Sequence, residues 1–218
     1  MPYRATMPGI AASLLLVAVL GACAEGKPAP APTPVSESQL LELRDQQLAY
    51  LAQEYHIEDP PHVDLIRWIT MEEMPATTVA CMDDAGYTIR DTGDGGIDLS
   101  GLPDAQRGQN APALVALWTC GAEYTIDPRT QLPLDNRQLR LLYDYFRGPL
   151  TDCLRDHGID VGDAPSFPSF VDGFSDHSQW TPWNEVGEVD DFVGLNQDCP
   201  QQLSSDELYG PLPPVPGK

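Results

Sequence analysis

Lysine is almost missing from this chain: only Lys27 and Lys218 occur among its 218 residues, and every other basic side chain is an arginine. So little amine argues against Schiff-base chemistry. No Cys-x-x-Cys pair is present, which removes the spacing of zinc ribbons and thioredoxin-like redox sites. Neither Gly-x-Ser-x-Gly nor Ser-x-x-Lys occurs, so the common serine-nucleophile patterns are absent. Gly93-Asp94-Gly95-Gly96 does not lead into a helical pattern and makes no phosphate loop. Positive charge is scarce in general: 12 Lys and Arg stand against 33 Asp and Glu, for a net charge of −21. Such a surface repels nucleic acid, anionic lipid headgroups and acidic wall polymers. The acidity reads first as solubility or habitat, and second as an attraction for cations or a basic partner. Long apolar runs are missing too. Ile10 to Leu20 is apolar and uncharged but short of the roughly 20 residues a membrane-spanning helix needs.

That short run has a different use. Preceded by Arg4 and followed by small residues, it fits the apolar core of a secretory signal, read from Met1 because a start at Met7 would lose its single positive charge. Leu20-Gly21-Ala22-Cys23 resembles the lipobox of bacterial lipoproteins. The resemblance implies that residues 1–22 are a lipoprotein signal peptide. It also implies that the Cys23 thiol is diacylglycerated and that cleavage makes Cys23 the mature N-terminus. Two acyl chains hold firmly where one is marginal. The competing reading is an ordinary secretory signal with an unrelated cysteine. The mature chain would lose only Arg4 among charged residues, moving from −21 to −22. Residues 23–35 then read as a lipidated cysteine and a stalk: Lys27-Pro-Ala-Pro-Ala-Pro-Thr-Pro-Val35 favours extended polyproline geometry. At full stretch it would lift the domain on the order of 35 Å from the membrane.

Residues 36–209 read as the extracytoplasmic domain, mostly α with minor β structure (α+β). Ser36-x-x-Gln39 caps an amphipathic helix running to about Tyr55, with Leu40, Leu41, Leu48, Leu51, Ala52 and Tyr55 at helical spacing. His62 to Ile69 is extended. Thr70-x-x-Glu73 caps a second helix that ends at Gly86. Tyr87–Arg90 and Ile97–Leu99 form a small hairpin around the Asp91–Gly96 turn. Ala111–Tyr124 is a third helix. Asp135-x-x-Gln138 opens the longest helical pattern, which Pro149 kinks or splits before Gly158 closes it. Ser166-Phe-Pro-Ser169-Phe begins a short helix near Phe170–Phe174, Trp180–Trp183 is extended, and Val189–Cys199 is a last short helix. The Pro-rich tail, 210–218, is loose.

Besides Cys23 there are four cysteines, Cys81, Cys120, Cys153 and Cys199. In an exported chain an even set reads as two disulfides. An internal echo orders them. Cys81-Met-Asp-Asp-Ala-Gly86-Tyr-Thr-Ile89 and Cys153-Leu-Arg-Asp-His-Gly158-Ile-Asp-Val161 both place a cysteine five residues before a helix-ending glycine and then turn extended. Each is followed by a helix carrying one more cysteine. The economical pairing is Cys81–Cys120 and Cys153–Cys199, one staple per unit, with pairing across units as the competitor. The domain is then a small stapled body, either one compact whole or two pseudo-repeated halves sharing a core. These segments, with the Ala113-x-x-Ala116-x-x-x-Cys120 helix, Tyr143-x-Tyr145, Pro165-Ser166 and Cys199-Pro200, resemble a group of exported actinobacterial lipoproteins of unassigned function. The resemblance implies export, the anchor and the staples; it implies no activity.

Other constellations were weighed for chemistry. His56-Ile-Glu58-Asp59-Pro-Pro-His62-Val-Asp64 gathers metal-ligand types, but its two prolines prevent an HExxH-type helix face, and a polar loop is the better reading. Asp91, Asp94 and Asp98 lack the one-three-five spacing and closing Glu of a calcium loop, so a hairpin turn accounts for them. His157 sits in the last turn of a helix, where a cation suits the dipole. No pattern requires a metal or cofactor. Trp180, Trp183 and Phe170, with Phe167 and Phe174, concentrate aromatic surface; they serve either as core packing or as a binding patch. The expectation is a membrane-anchored envelope lipoprotein acting as a non-enzymatic interaction module toward an envelope protein or ligand. The alternatives are a small-molecule or cation carrier, and an enzyme with a dispersed Asp/His site.

Overall fold

The computed structural model describes residues 35–102, 108, 111–176 and 178–217. The leader, Cys23, the stalk before Val35 and His177 lie outside the described residues. The described chain is mostly helical, with two sheets of two strands each.

Helix α1 spans Glu37–Glu54 and starts where the Ser36 hydroxyl accepts from the Gln39 amide at 3.2 Å. Its inward residues Leu40, Leu48 and Ala52 are buried. Trp118 fastens it by donating its indole N–H to the Leu48 carbonyl at 2.9 Å. Arg44 reaches inward as well and donates to the Val63 and Ala122 carbonyls, both at 3.0 Å. Burial lowers the pKa of that guanidinium, opposed by the charges of Asp45 and Asp64.

Strand β1 (Arg67–Ile69) leads to helix α2 (Met74–Asp84). The expected Thr70/Glu73 exchange is present: the Thr70 amide donates to Glu73 at 2.9 Å and the Glu73 amide to the Thr70 hydroxyl at 3.2 Å. The hairpin is shorter than expected. Strand β2 (Arg90–Asp91) pairs antiparallel with β3 (Ile97–Asp98), Arg90 opposite Asp98. Helix α3 (Pro112–Glu123) runs directly into β4 (Tyr124–Ile126), which pairs in parallel with β1, Trp68 opposite Thr125. The helical spacing expected over Ala111–Tyr124 takes in Tyr124, which the structure gives to β4 instead.

After a 3-10 turn at Pro128–Gln131, helix α4 (Asn136–Tyr145) begins at a full capping box between Asp135 and Gln138. Pro149 has no N–H and breaks the α ladder. The chain answers with a π turn over Phe146–Leu150 before α5 (Thr151–Asp156). The Thr151 hydroxyl donates to the Phe146 carbonyl at 2.6 Å. Leu142, Phe146, Leu150 and Leu154 are all buried. At four-residue spacing a regular helix would rotate them about 40° per step away from the core, and the wider turn offsets that drift.

Helix α6 (Phe167–Asp176) begins just after Ser166, whose hydroxyl accepts from the Ser169 amide at 3.3 Å, and runs two residues past Phe174. Trp180–Trp183 is not fully extended: Thr181 caps a 3-10 turn at Pro182–Glu185. Helix α7 (Phe192–Asp198) starts three residues later than expected, because the Asp191 carboxylate caps it through the Gly194 amide. Helix α8 (Ser205–Tyr209) was not foreseen. The tail expected to be loose is tied down. Trp68 donates to the Pro214 carbonyl at 3.2 Å, and Arg129 donates to the carbonyls of Tyr209 and Pro211, both at 2.9 Å.

The disulfides join Cys81 to Cys120 and Cys153 to Cys199. Each staples its own hydrophobic cluster. Met82, Ile89, Leu114, Leu117 and Cys120 belong to one; Leu142, Phe146, Leu154, Val161, Phe170 and Cys199 belong to the other. The echo holds at the level of single hydrogen bonds. Gly86 and Gly158 both take positive φ, 85° and 81°. Tyr87 N–H closes onto the Met82 carbonyl at 2.8 Å, and Ile159 N–H onto the Leu154 carbonyl at 2.9 Å. This six-to-one closure is the Schellman C-cap. Met82 and Leu154, the residues after each cysteine, are both 0 % exposed.

Candidate binding groove

Of the two readings of Trp180, Trp183 and Phe170, core packing and binding patch, burial favours core packing. Phe170 is 1 % and Trp183 9 % exposed, and Trp180 packs against the same core. The Phe170 ring lies 5.2 Å from Tyr143, 6.0 Å from Phe146 and 5.0 Å from Phe174. Trp183 donates its indole N–H to the Cys199 carbonyl at 3.2 Å. Phe170 and Trp183 fill the second core beside its disulfide, with Phe167, Phe174 and Trp180 partly buried against it.

Two of the histidines meet acids at the surface, and His56 is exposed. His62 and Asp64 approach to 3.8 Å, both almost fully exposed. His157 lies 3.5 Å from Asp198. The ligand-type atoms of Cys153, His157 and Cys199 cluster within 4.8 Å, but both sulfurs are consumed by the disulfide. In the hairpin, Asp91 accepts from the Gly93 amide at 2.7 Å, Asp94 from the Thr92 hydroxyl and the Gly96 amide, and Asp98 from the Ser100 amide at 2.8 Å. These carboxylates build the turn, as the sequence reading had it.

Binding geometry appears elsewhere. Leu141 and Tyr145, one helical turn apart on α4, join Pro149 of the π turn, Pro200 beside the second disulfide, and Leu203 to floor a groove of about 790 Å³. Leu141 is 37 % exposed and solvent-facing. Tyr145 is pinned by its hydroxyl, which donates to the Pro200 carbonyl at 2.5 Å; burial, with the nearby Glu207 charge, raises its pKa. The edge carries Glu72, Asp144 and Glu207. Glu72 comes from the first half and accepts from the Ser205 amide at 2.8 Å. Burial alone would raise its pKa. Hydrogen bonds from its own backbone, Thr70 and Ser205 outweigh that and hold it below the ordinary carboxylate value. Glu207 closes a capping box with Ser204. Asp144 pairs with Arg147 at 3.1 Å. Among the described residues, Glu72 and Glu207 make no ion pair.

A second hollow of about 740 Å³ lies between α1, the start of α4 and the tail. Arg129 is committed to Asp127 and the tail; Arg137 donates one Nη to the Leu208 carbonyl while its buried Nε has no hydrogen-bond partner. The first groove therefore offers the freer apolar surface.

Sequence reading misses this groove because its floor joins two stretches far apart in the chain, 141–149 and 200–203, and its edge takes Glu72 from a third. One signal was present. Leu141 and Tyr145 are apolar or aromatic yet lie off the buried stripe of Leu139, Leu142, Tyr143 and Phe146, which leaves them facing outward as a pair.

No family model, no curated protein and no solved structure matches this chain.

Proposed function

We propose that this protein is a lipid-anchored, extracytoplasmic lipoprotein of the bacterial cell envelope whose stapled domain serves as a binding module. The leader, Cys23 and the proline-rich stalk would tether it; the two disulfides suit an oxidising compartment. The observation that carries the reading is the solvent-facing groove of Leu141, Tyr145, Pro149, Pro200 and Leu203 with its acidic edge. An exposed apolar hollow bounded by charge is the usual form of a protein contact site. Among the described residues, the His62–Asp64 and His157–Asp198 pairs lie at the surface, which supports the binding reading over a dispersed Asp/His site.

The test is in cells. A C-terminally tagged protein is fractionated and crosslinked beside a Cys23→Ser form. The wild type is expected in the membrane fraction with a reproducible crosslinked partner, and the Cys23→Ser form outside it. A Cys23→Ser form that stays on the membrane would overturn the lipid anchor. A membrane-bound wild type without any partner would overturn the binding module in favour of a small-molecule carrier.

A further inference from the structure

We infer that the groove between α4, the π turn and the segment before α8 receives a cationic peptide segment bearing apolar side chains, supplied by another envelope protein. This deepens the binding-module reading and rests on it. Three observations fit such an occupant. The floor is apolar and open: Leu141 at 37 % exposure, Leu203 half-buried, and two prolines that offer no N–H. An apolar side chain docking there removes surface from water at about 25 cal/mol per Å². The floor is also rigid. Tyr145 is bonded to Pro200, and Pro200 follows a disulfide-linked Cys199, so little order is lost when a partner lands.

The third observation is charge. Glu72 and Glu207 both bind the first turn of α8, Glu72 through the Ser205 amide and Glu207 through Ser204. The two negative charges are thereby fixed on one edge of the groove without an ion-pair partner among the described residues. The whole chain carries −21, so anionic surfaces are repelled and cationic segments drawn in. An acidic peptide or an anionic lipid surface would meet like charge at that edge. Glu72 belongs to the first half of the domain, and the rest of the lining to the second. The occupant would therefore touch both.

An acidic protein binds polycations loosely anywhere, so the test must separate groove docking from bulk attraction. The full-length protein in neutral detergent is titrated against two labelled peptides, Lys-Leu-Lys-Ala-Leu-Lys and its counterpart with Glu for each Lys, by fluorescence anisotropy. The cationic peptide is expected to bind and the acidic one not. Leu141→Asp makes the protein more acidic, so bulk attraction predicts tighter binding. Docking in the groove predicts a loss of about tenfold or more, as an apolar anchor site is charged. Leu203→Asp serves as the second variant, and retained disulfides and melting temperature check each fold. Glu72→Gln with Glu207→Gln keeps their hydrogen-bond acceptors and is expected to weaken binding several-fold, with a shallower salt dependence. Equal binding of both peptides, or Leu141→Asp binding as well as wild type, would overturn the inference. So would neutral lipid vesicles binding with the same sensitivity to Leu141→Asp, which would assign the groove to lipid. The outcomes are independent of the tether. A Cys23→Ser form that stays on the membrane sinks the anchor and leaves the groove assignment standing.

Discussion

The indole N–H of Trp68 donates to the carbonyl oxygen of Pro214 at 3.2 Å, joining the first strand to the last residues of the chain. Trp68 is 1 % exposed, so its N–H has little access to water if the tail leaves. A buried donor without a partner costs about 1–3 kcal/mol. A chain ending at Pro213 should therefore lose stability of that order. In a Trp68→Phe background the same truncation should cost less, because the donor is already gone. Denaturant unfolding of the four proteins of this cycle measures the coupling; additive losses would mean the bond contributes nothing.

Asp127 and Arg129 extend the same clamp. The Asp127 carboxylate, 1 % exposed, receives both the Nε and an Nη of Arg129, whose remaining N–H groups reach the carbonyls of Tyr209 and Pro211. Asp127→Asn leaves a partly buried guanidinium without its counter-charge and should cost about 3 kcal/mol. Arg129→Lys should also fail, since one ammonium cannot serve a carboxylate fork and two carbonyls together. Hydrogen exchange at Tyr209 and Gly210 should rise in both variants. Unchanged protection there would show that the tail is held by packing alone.

Thr151 closes the π turn from a buried position. Thr151→Val keeps the shape but removes the hydroxyl donor to Phe146, and should cost about 1–2 kcal/mol. Pro149→Ala restores an N–H and allows α4 and α5 to join as a regular helix, which would rotate Leu150 and Leu154 off the core face. Its expected signature is a loss of cooperativity in near-ultraviolet circular dichroism with helix content maintained.

The parts of this fold that were legible in the sequence are those fixed by short-range chemistry. Ser36 and Asp135 with Gln138 announce helix starts because the capping bonds span only three residues, whereas the Thr70/Glu73 exchange closes the turn just before α2 begins at Met74. Gly86 and Gly158 announce helix ends because few other residues take that φ without strain. The disulfide pairing followed from the repetition of those local units. What stayed hidden depends on distance. Tyr124-Thr125-Ile126 follows α3 without a break, and only its partner Arg67–Ile69 makes it a strand. The tail reads as loose because prolines have no N–H to donate, yet its carbonyls accept from Trp68 and Arg129. Trp183 and Phe170 could be core or surface on sequence alone, and the second core took them. The groove needs three distant stretches to meet, at Glu72, 141–149 and 200–207, and no local pattern encodes that.

The two disulfides should behave alike. Their sequence separations are 39 and 46, and loop-closure entropy grows only with the logarithm of length. Each should contribute about 4 kcal/mol in the chain-entropy model. Cys81→Ser with Cys120→Ser should lower stability nearly as much as Cys153→Ser with Cys199→Ser. Because each staples its own cluster, removing both should cost close to the sum of the two. A combined loss well below that sum would mean that the halves unfold in separate steps.

Glu73 makes stability depend on acid. Its pKa lies below the ordinary 4.5 because the Thr70 amide donates to it; burial opposes this, and Arg67 at 3.1 Å adds to it. A carboxyl whose folded pKa is depressed stabilises the fold above its unfolded value, and that contribution fades as pH falls toward the folded one. The window therefore opens near pH 4.5 and closes at the lower folded value. Glu72 shifts in the same direction and adds to the slope. The Glu73 side chain is 42 % exposed, so solvent screens the Arg67 pair and the effect is modest. Glu73→Gln should be less stable than wild type at pH 7 and nearly equal to it at pH 3. Unfolding free energies at the two pH values check this. A difference that stays constant across them would assign the loss to the broken cap and remove the charge from the argument.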